Sequence, residues 1–296
     1  MEWGLAVGAY PEATVEEVLT LLEKERIEHV ELGGIIYVLG HIPGSYARLA
    51  ETLGYKPPSW NEVKKRAAEL KELLETHGIK PIQMHAPDPN LARFNEAERA
   101  EAVDKVARFL ELANILEAET LVVHPGTGIP GVENLSLNLS FHETILRVRE
   151  ANVKSFRELA RVAEDLGVTI AVENRLERVY GSRPADLLQL LEEVGSERLG
   201  ICLDTGHANV NRIPPHEFVA AVGERLVATH IHDNNGTGDQ HLPPLMGNID
   251  WDAFAEALRK TGYPKPIIYE VGCGRSLSEC RNRIRLLRYV SEKLLA

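Results

Sequence analysis

The sequence predicts an α/β fold of one kind, a (β/α)8 TIM barrel formed by residues 1–296 as a single domain, and three observations carry the prediction. Short apolar runs alternate eight times with amphipathic, charge-rich segments along the 296 residues, the pattern that builds a parallel sheet covered by helices. No early apolar run is followed by the G-x-G-x-x-G or G-x-x-x-x-G-K-[ST] turn of an open nucleotide-binding sheet. No shift in composition marks a second domain.

The apolar runs predict strands at Gly4–Gly8, His29–Leu32, Pro81–His85, Thr120–His124, Thr169–Glu173, Gly200–Asp204, Val227–His232 and Ile267–Glu270. Helical periodicity is clearest at Thr14–Lys24, Trp60–Thr76, Glu96–Leu116, Ala151–Leu166, Pro184–Val194, Pro215–Val222, Trp251–Thr261 and Leu277–Leu295. Pro184 suits a first helical position, where its missing N–H costs nothing. Ser140 and Glu143 have capping-box spacing. Gly167 and Gly262 fall where a helix ends in a left-handed residue. Two connections are long, Gly33–Ser59 after the second strand and Gly126–Ser140 after the fourth. In a barrel both lie on the C-terminal face, where such loops serve the active site.

The chain carries 33 basic and 44 acidic residues, a net charge of −11. That balance gives no overall attraction to nucleic acid or to an anionic membrane, although it leaves room for a local basic groove. Three cysteines, Cys202, Cys273 and Cys280, have no metal-binding spacing, and their odd number is not a disulfide framework. A reducing cytoplasm fits them. The first residues have neither a basic region nor a long apolar stretch of a secretory signal, and no run approaches the 18 apolar residues of a membrane span.

Chemistry gathers at the strand ends. The later strands finish in His85, His124, Glu173, Asp204, the pair His230 and His232, and Glu270, while Asp239 and His241 follow the seventh strand. In a barrel these ends converge on one mouth. Side-chain alternation supports this. Glu173 shares a face with Ala171, Asp204 with Cys202 and Gly200, His230 and His232 with Ala228, and Glu270 with Ile268. The bulkier Val172, Leu203, Val227, Ile231 and Tyr269 point the opposite way, toward an outer helical layer. Taken singly, an Asp or Glu at such a position is commonly a helix cap. Asp204 is the sharpest instance: it ends the run LGICLD before a Thr-Gly turn, with His207 three residues on. Six of the 11 histidines at or near these ends, interleaved with three carboxylates, exceed what capping needs. Imidazole and carboxylate without thiolate suit Zn²⁺, Mn²⁺ or Co²⁺, with Mg²⁺ a further candidate.

In these residues the sequence resembles the xylose isomerase-like barrel superfamily, which includes sugar isomerases and epimerases and endonuclease IV-type abasic-site nucleases. The matching pieces are QMHAP, VVHPG, AVENR, LDTGHAN, HIHDNNG, DQHLPP and IYEVG, spread over Ile79 to Gly274. The resemblance to the sugar branch implies one divalent metal on Glu173, Asp204, His230 and Glu270. The two glutamates then move a proton on and off a carbon beside a carbonyl through a metal-stabilised enediolate. His207, His232 and His85 are expected to contact a small carbohydrate, a sugar, sugar phosphate or cyclitol. The resemblance to the nuclease branch implies up to three zinc ions, with His85, His124, His207, Asp239 and His241 joining the ligand set. Either branch carries over an expected homo-oligomer. Asp88 stands where the nuclease branch has Tyr, and Gly33–Ser59 holds only Arg48 and Lys56 as cations but also Tyr37, Tyr46 and Tyr55, more like a lid over a small ligand than a phosphate clamp. Leu245-Met246 replaces a Gly-Glu pair of the sugar branch.

Overall fold

The computed structural model describes residues 2–7, 13–33, 39, 56–127, 140–176, 179–272 and 276–294. Eight parallel strands form the barrel: β1 Trp3–Val7, β2 His29–Leu32, β3 Lys80–His85, β4 Thr120–Val123, β5 Thr169–Glu173, β6 Leu199–Asp204, β7 Leu226–His230 and β8 Ile267–Tyr269. The ladder runs β7-β6-β5-β4-β3-β2-β1-β8. Between β7 and β8 the ring closes through one residue past the end of β7. Ile231 N–H donates to Ile268 O at 2.8 Å, and Glu270 N–H donates to Ile231 O at 3.1 Å.

The outer layer comprises α1 Val15–Lys24, α2 Trp60–Thr76, α3 Glu96–Ile115, α4 Phe141–Leu166, α5 Pro184–Val194, a short α6 Thr205–Val210, α7 Pro215–Val222, α8 Trp251–Thr261 and α9 Leu277–Leu294. Local chemistry sets the helix ends. Thr14 with Glu17, and Ser140 with Glu143, form complete capping boxes, each satisfying otherwise orphaned N–H groups. Gly167 closes α4 at φ 72°, a conformation that costs a side chain energy.

The side-chain alternation read from the sequence holds except at Val227, which the alternation sets on the outer face but which packs on the inner cluster, because the β6–β7 register shifts there and leaves it out of the ladder. Leu121, Val123, Ile170, Val172, Ile201, Leu203, Ile231 and Tyr269 join the large core between strands and helices. Val122, Ala171, Cys202 and Ala228 make a separate small cluster inside the ring. That floor of small residues leaves space above it for the strand-end side chains, and the register sets Asp204 beside His230.

Several boundaries differ from the sequence reading. α4 begins at Phe141 rather than Ala151, directly after the Ser140 cap. Ile145 and Leu146 are exposed apolar residues in its first turns, so the apolar periodicity there does not track burial. β7 stops at His230 because Ile231 leaves the β6 ladder to bridge β8. The Thr-Gly turn after Asp204 is the start of α6. Cys202 is free and buried, whereas Cys280 is disulfide-bonded, so the odd cysteine count, which argued against a disulfide framework, does not exclude a bridge. Among the described residues no helix is long and apolar enough to cross a membrane. Tyr37, Tyr46, Arg48 and Tyr55, with most of both long connections, lie outside the described residues.

Candidate metal centre

Three sets of ligand atoms converge at the C-terminal mouth: His85, His124 and Glu173; Glu173, Asp204, His230 and Glu270; and His232, His241 and Glu270. Within each set the ligand atoms lie within 4.8 Å of one another. Glu173, at the end of β5, is the hub. Its Oε2 is 3.0 Å from His85 Nε2 and 3.3 Å from His124 Nε2, and its Oε1 is 3.0 Å from His230 Nδ1. His230 Nδ1 also lies 3.5 Å from Glu270 Oε2 and 4.0 Å from Asp204 Oδ2. On the far side, Asp239 Oδ2 is 2.9 Å from His241 Nε2 and 3.6 Å from His207 Nε2.

Asp204 does two jobs. One carboxylate oxygen accepts the His207 N–H at 2.6 Å and caps α6. The other faces His232 Nε2 at 2.9 Å. One oxygen therefore serves as the helix cap, and the other faces the cluster, where it could ligate a metal ion. Asn174 fixes the adjacent backbone, accepting from Asp204 N–H at 2.7 Å and donating to Asp204 O at 3.0 Å. Asp233, the fourth residue of HIHDNNG, belongs to the fold: it accepts from Gly247 N–H, Ile249 N–H and Trp251 Nε1–H.

The hydrogen bonds commit one nitrogen of several rings and leave the other for a cation. His85, His207 and His241 each place Nδ1 on a backbone carbonyl, those of Ala86, Asn174 and Glu270. A carbonyl only accepts, so Nδ1 carries a proton, and Nε2 is the nitrogen that can take a cation once its own proton has been displaced. In each case that Nε2 is the atom turned to a carboxylate of the cluster. Among the described residues, His124 Nδ1, His232 Nδ1 and Asp239 Oδ1 are buried without a hydrogen-bond partner. Four carboxylates and six imidazoles at one mouth, with rings fixed in this way, fit divalent cations.

Charge follows the same geometry. Burial pushes the Glu173 carboxyl up, but the His124 and His230 charges and hydrogen bonds from His230 and His85 hold it well below the usual carboxylate range. Burial likewise opposes ionisation of Asp204, and the His207 and His232 charges overcome it, so its pKa is lowered. Glu270 goes the opposite way: burial, added to repulsion from Asp204, Glu173 and Glu31 and only partly offset by His230, lifts it to about 7. Burial would lower His85, yet the Glu173 hydrogen bond and charge raise it to about 9. For His124 burial prevails, and its pKa falls to about 4.

All nine ligand positions read from the sequence therefore meet at one mouth. His232, read as a substrate contact, sits fully buried against Asp204 and stacks on His241 with ring centroids 4.1 Å apart. Its ring presses on Gly206, where an added Cβ would lie 1.9 Å from His232 Cε1. Sequence reasoning missed Glu31 and Gln83, both buried inside the ring. Glu31 alternates with Val30 and Leu32 in β2, so parity sets it opposite the outer core, and closure of the ring is what buries that face.

The fold is a barrel whose mouth gathers residues that could hold a metal ion, and the chain belongs to the xylose isomerase-like TIM barrel family, whose model matches residues 48–289. An uncharacterised protein of Methanocaldococcus jannaschii is 34% identical over 208 residues, 68% of this chain and 67% of its own. A D-psicose 3-epimerase of Enterocloster bolteae is 28% identical over 124 residues, 41% of this chain and 40% of its own. A probable endonuclease 4 of Cenarchaeum symbiosum is 30% identical over 235 residues, 70% of this chain and 79% of its own. Among solved structures, a D-tagatose 3-epimerase-like protein superposes with TM-score 0.74 at 25% identity over the full length of both chains. The zinc-bound IOLI protein shares the fold with TM-score 0.73 at 19% identity, over 100% of this chain and 98% of its own.

Proposed function

We propose that the protein is a divalent-metal-dependent isomerase or epimerase of a small ketose or related polyhydroxy carbonyl compound. The observation that carries the reading is the four-residue set Glu173, Asp204, His230 and Glu270, in which two carboxylates from β5 and from the end of β8 flank one position. The ketose 3-epimerases among its relatives support the same reaction class. A divalent ion on these residues would polarise the carbonyl and hydroxyl oxygens of the substrate. Glu173 and Glu270 are the proton-transfer pair: one removes the proton from the carbon beside the carbonyl, and the other returns it from the opposite side. His207 and His85, at the rim of the mouth, hold substrate hydroxyls. The reading is tested by incubating zinc- or manganese-loaded protein in D₂O with a panel of ketoses, aldoses and inososes. Deuterium incorporated at a carbon next to the carbonyl supports it. No exchange with any of them refutes it.

A second reading is favoured by one observation, that His207, Asp239 and His241 also converge, so that every position of a three-zinc site is filled. The endonuclease 4 relative fits it as well. Three tight zinc ions per chain together with nicking of an abasic duplex would select this reading over the first.

A further inference from the structure

The interior of the barrel beneath the metal centre holds a carboxylate that the reaction does not use. Glu31 lies on β2 and is 2% exposed. Its Oε2 is 2.6 Å from His230 Nε2 and accepts from Gln83 Nε2 at 2.6 Å. Gln83 in turn donates to Thr229 O at 3.3 Å, on the strand that carries His230. An ionised carboxylate placed in a protein interior costs several kcal/mol unless its partners repay it, and a residue that only filled space would be apolar here, like Val122, Ala171, Cys202 and Ala228 beside it.

The alternative partners of His230 show what Glu31 does. Both ring nitrogens face acceptors: Nε2 meets Glu31, and Nδ1 meets Glu173, Glu270 and Asp204. A neutral imidazole has one proton, so only one side can be a donor. The other cluster histidines with a fixed ring use a backbone carbonyl to hold Nδ1–H and offer Nε2. His230 has the reverse arrangement. Among the described residues its Nε2 is paired with no carbonyl, and the side chain of Glu31 takes that place.

We propose that Glu31 is a positioning residue of the metal centre, accepting the Nε2 proton of His230 so that the Nδ1 lone pair is committed to the cation shared with Glu173, Asp204 and Glu270. Gln83 holds the carboxylate in line, and its own tie to Thr229 keeps the pair in register with β7. The inference rests on the metal reading above. A carboxylate in this role strengthens the ring as a ligand as well as orienting it, and losing such a partner typically weakens metal affinity roughly 10- to 100-fold.

The test compares zinc affinity of the wild type and Glu31→Gln by chelator competition, and reads the His230 tautomer in the zinc-loaded wild type from imidazole ¹⁵N shifts. Glu31→Gln keeps the volume and one hydrogen bond but removes the charge. The expected results are a loss of zinc affinity of roughly 10- to 100-fold, partial recovery in Glu31→Asp, and a proton on Nε2 of His230 in the wild type. Equal affinities in wild type and Glu31→Gln overturn the role of Glu31 and leave the metal reading intact. No zinc uptake by the wild type overturns both. Should the variants fail to fold, the wild-type tautomer decides alone: a proton on Nδ1 refutes the proposal and a proton on Nε2 upholds it.

Discussion

Gly206→Ala should disable the centre from outside the ligand set. The methyl group would be built 1.9 Å from Cε1, 2.5 Å from Nδ1 and 2.7 Å from Nε2 of His232. Carbon atoms in contact need well over 3 Å, so the ring must retreat by about 1 Å or more. It has nowhere to go, being fully buried, stacked on His241 and bonded to Asp204 at 2.9 Å. Overpacking of this kind costs about 1–3 kcal/mol, and weakening a hydrogen bond to a charged group adds about 1.5–3 kcal/mol. The higher helix propensity of alanine in α6 returns at most about 1 kcal/mol. A net destabilisation of about 1.5–5 kcal/mol follows from these terms. Urea unfolding of chelator-treated protein measures it, with Gly238→Ala as the control, since a Cβ there meets nothing within 4 Å and should change stability by less than about 0.5 kcal/mol. Gly206→Ala unfolding at the wild-type midpoint would refute the packing argument, because it would mean that His232 is free to move.

Two further outcomes are expected. Glu173→Gln removes the hub shared by two ligand sets, and deuterium exchange into the substrate should fall by at least about 10³-fold with metal affinity reduced in parallel; exchange within tenfold of wild type would remove Glu173 from the chemistry. Carboxylate partners overcome burial to raise His85, His207 and His241 from 6.5 to about 9, 10 and 9, so at pH 7.5 these rings are protonated until a cation displaces their protons. Zinc uptake in weak buffer should therefore release protons. In chelator-treated protein the stabilisation from these raised pKa values is complete below pH 6.5 and is lost as pH rises toward 9–10. Uptake without proton release, or a flat stability profile between pH 6.5 and 10, would contradict the paired histidines.

Much of this was legible in the strands. Glu173, Asp204 and His230 lie on faces that two-residue alternation assigns, and Ala171, Cys202 and Ala228 beneath them are small, so pattern and packing agree. The misses have physical causes. Glu31 and His230 are 199 residues apart, and within HVEL a glutamate looks like the wet face of an ordinary strand. Its burial is a property of ring closure. The early turns of α4 were hidden because Ile145 and Leu146 face solvent, which removes the periodic signal although the Ser140–Glu143 box was plain. Asp204 posed a choice between cap and ligand that a one-dimensional reading cannot divide between two oxygens of one carboxylate.

The single-residue closure at Ile231 has a mechanical consequence. Every other neighbouring pair of strands is held by a ladder of three or four residue pairs, whereas β7 meets β8 through two backbone hydrogen bonds of Ile231. His230 stands on one side of that seam and Glu270 on the other. A cation bound by both would act as a clasp across the weakest line of the cylinder. Ligand loading and hoop strength should then rise and fall together, with the amides of Ile231 and Glu270 the first of the barrel backbone to exchange with solvent once the clasp is removed.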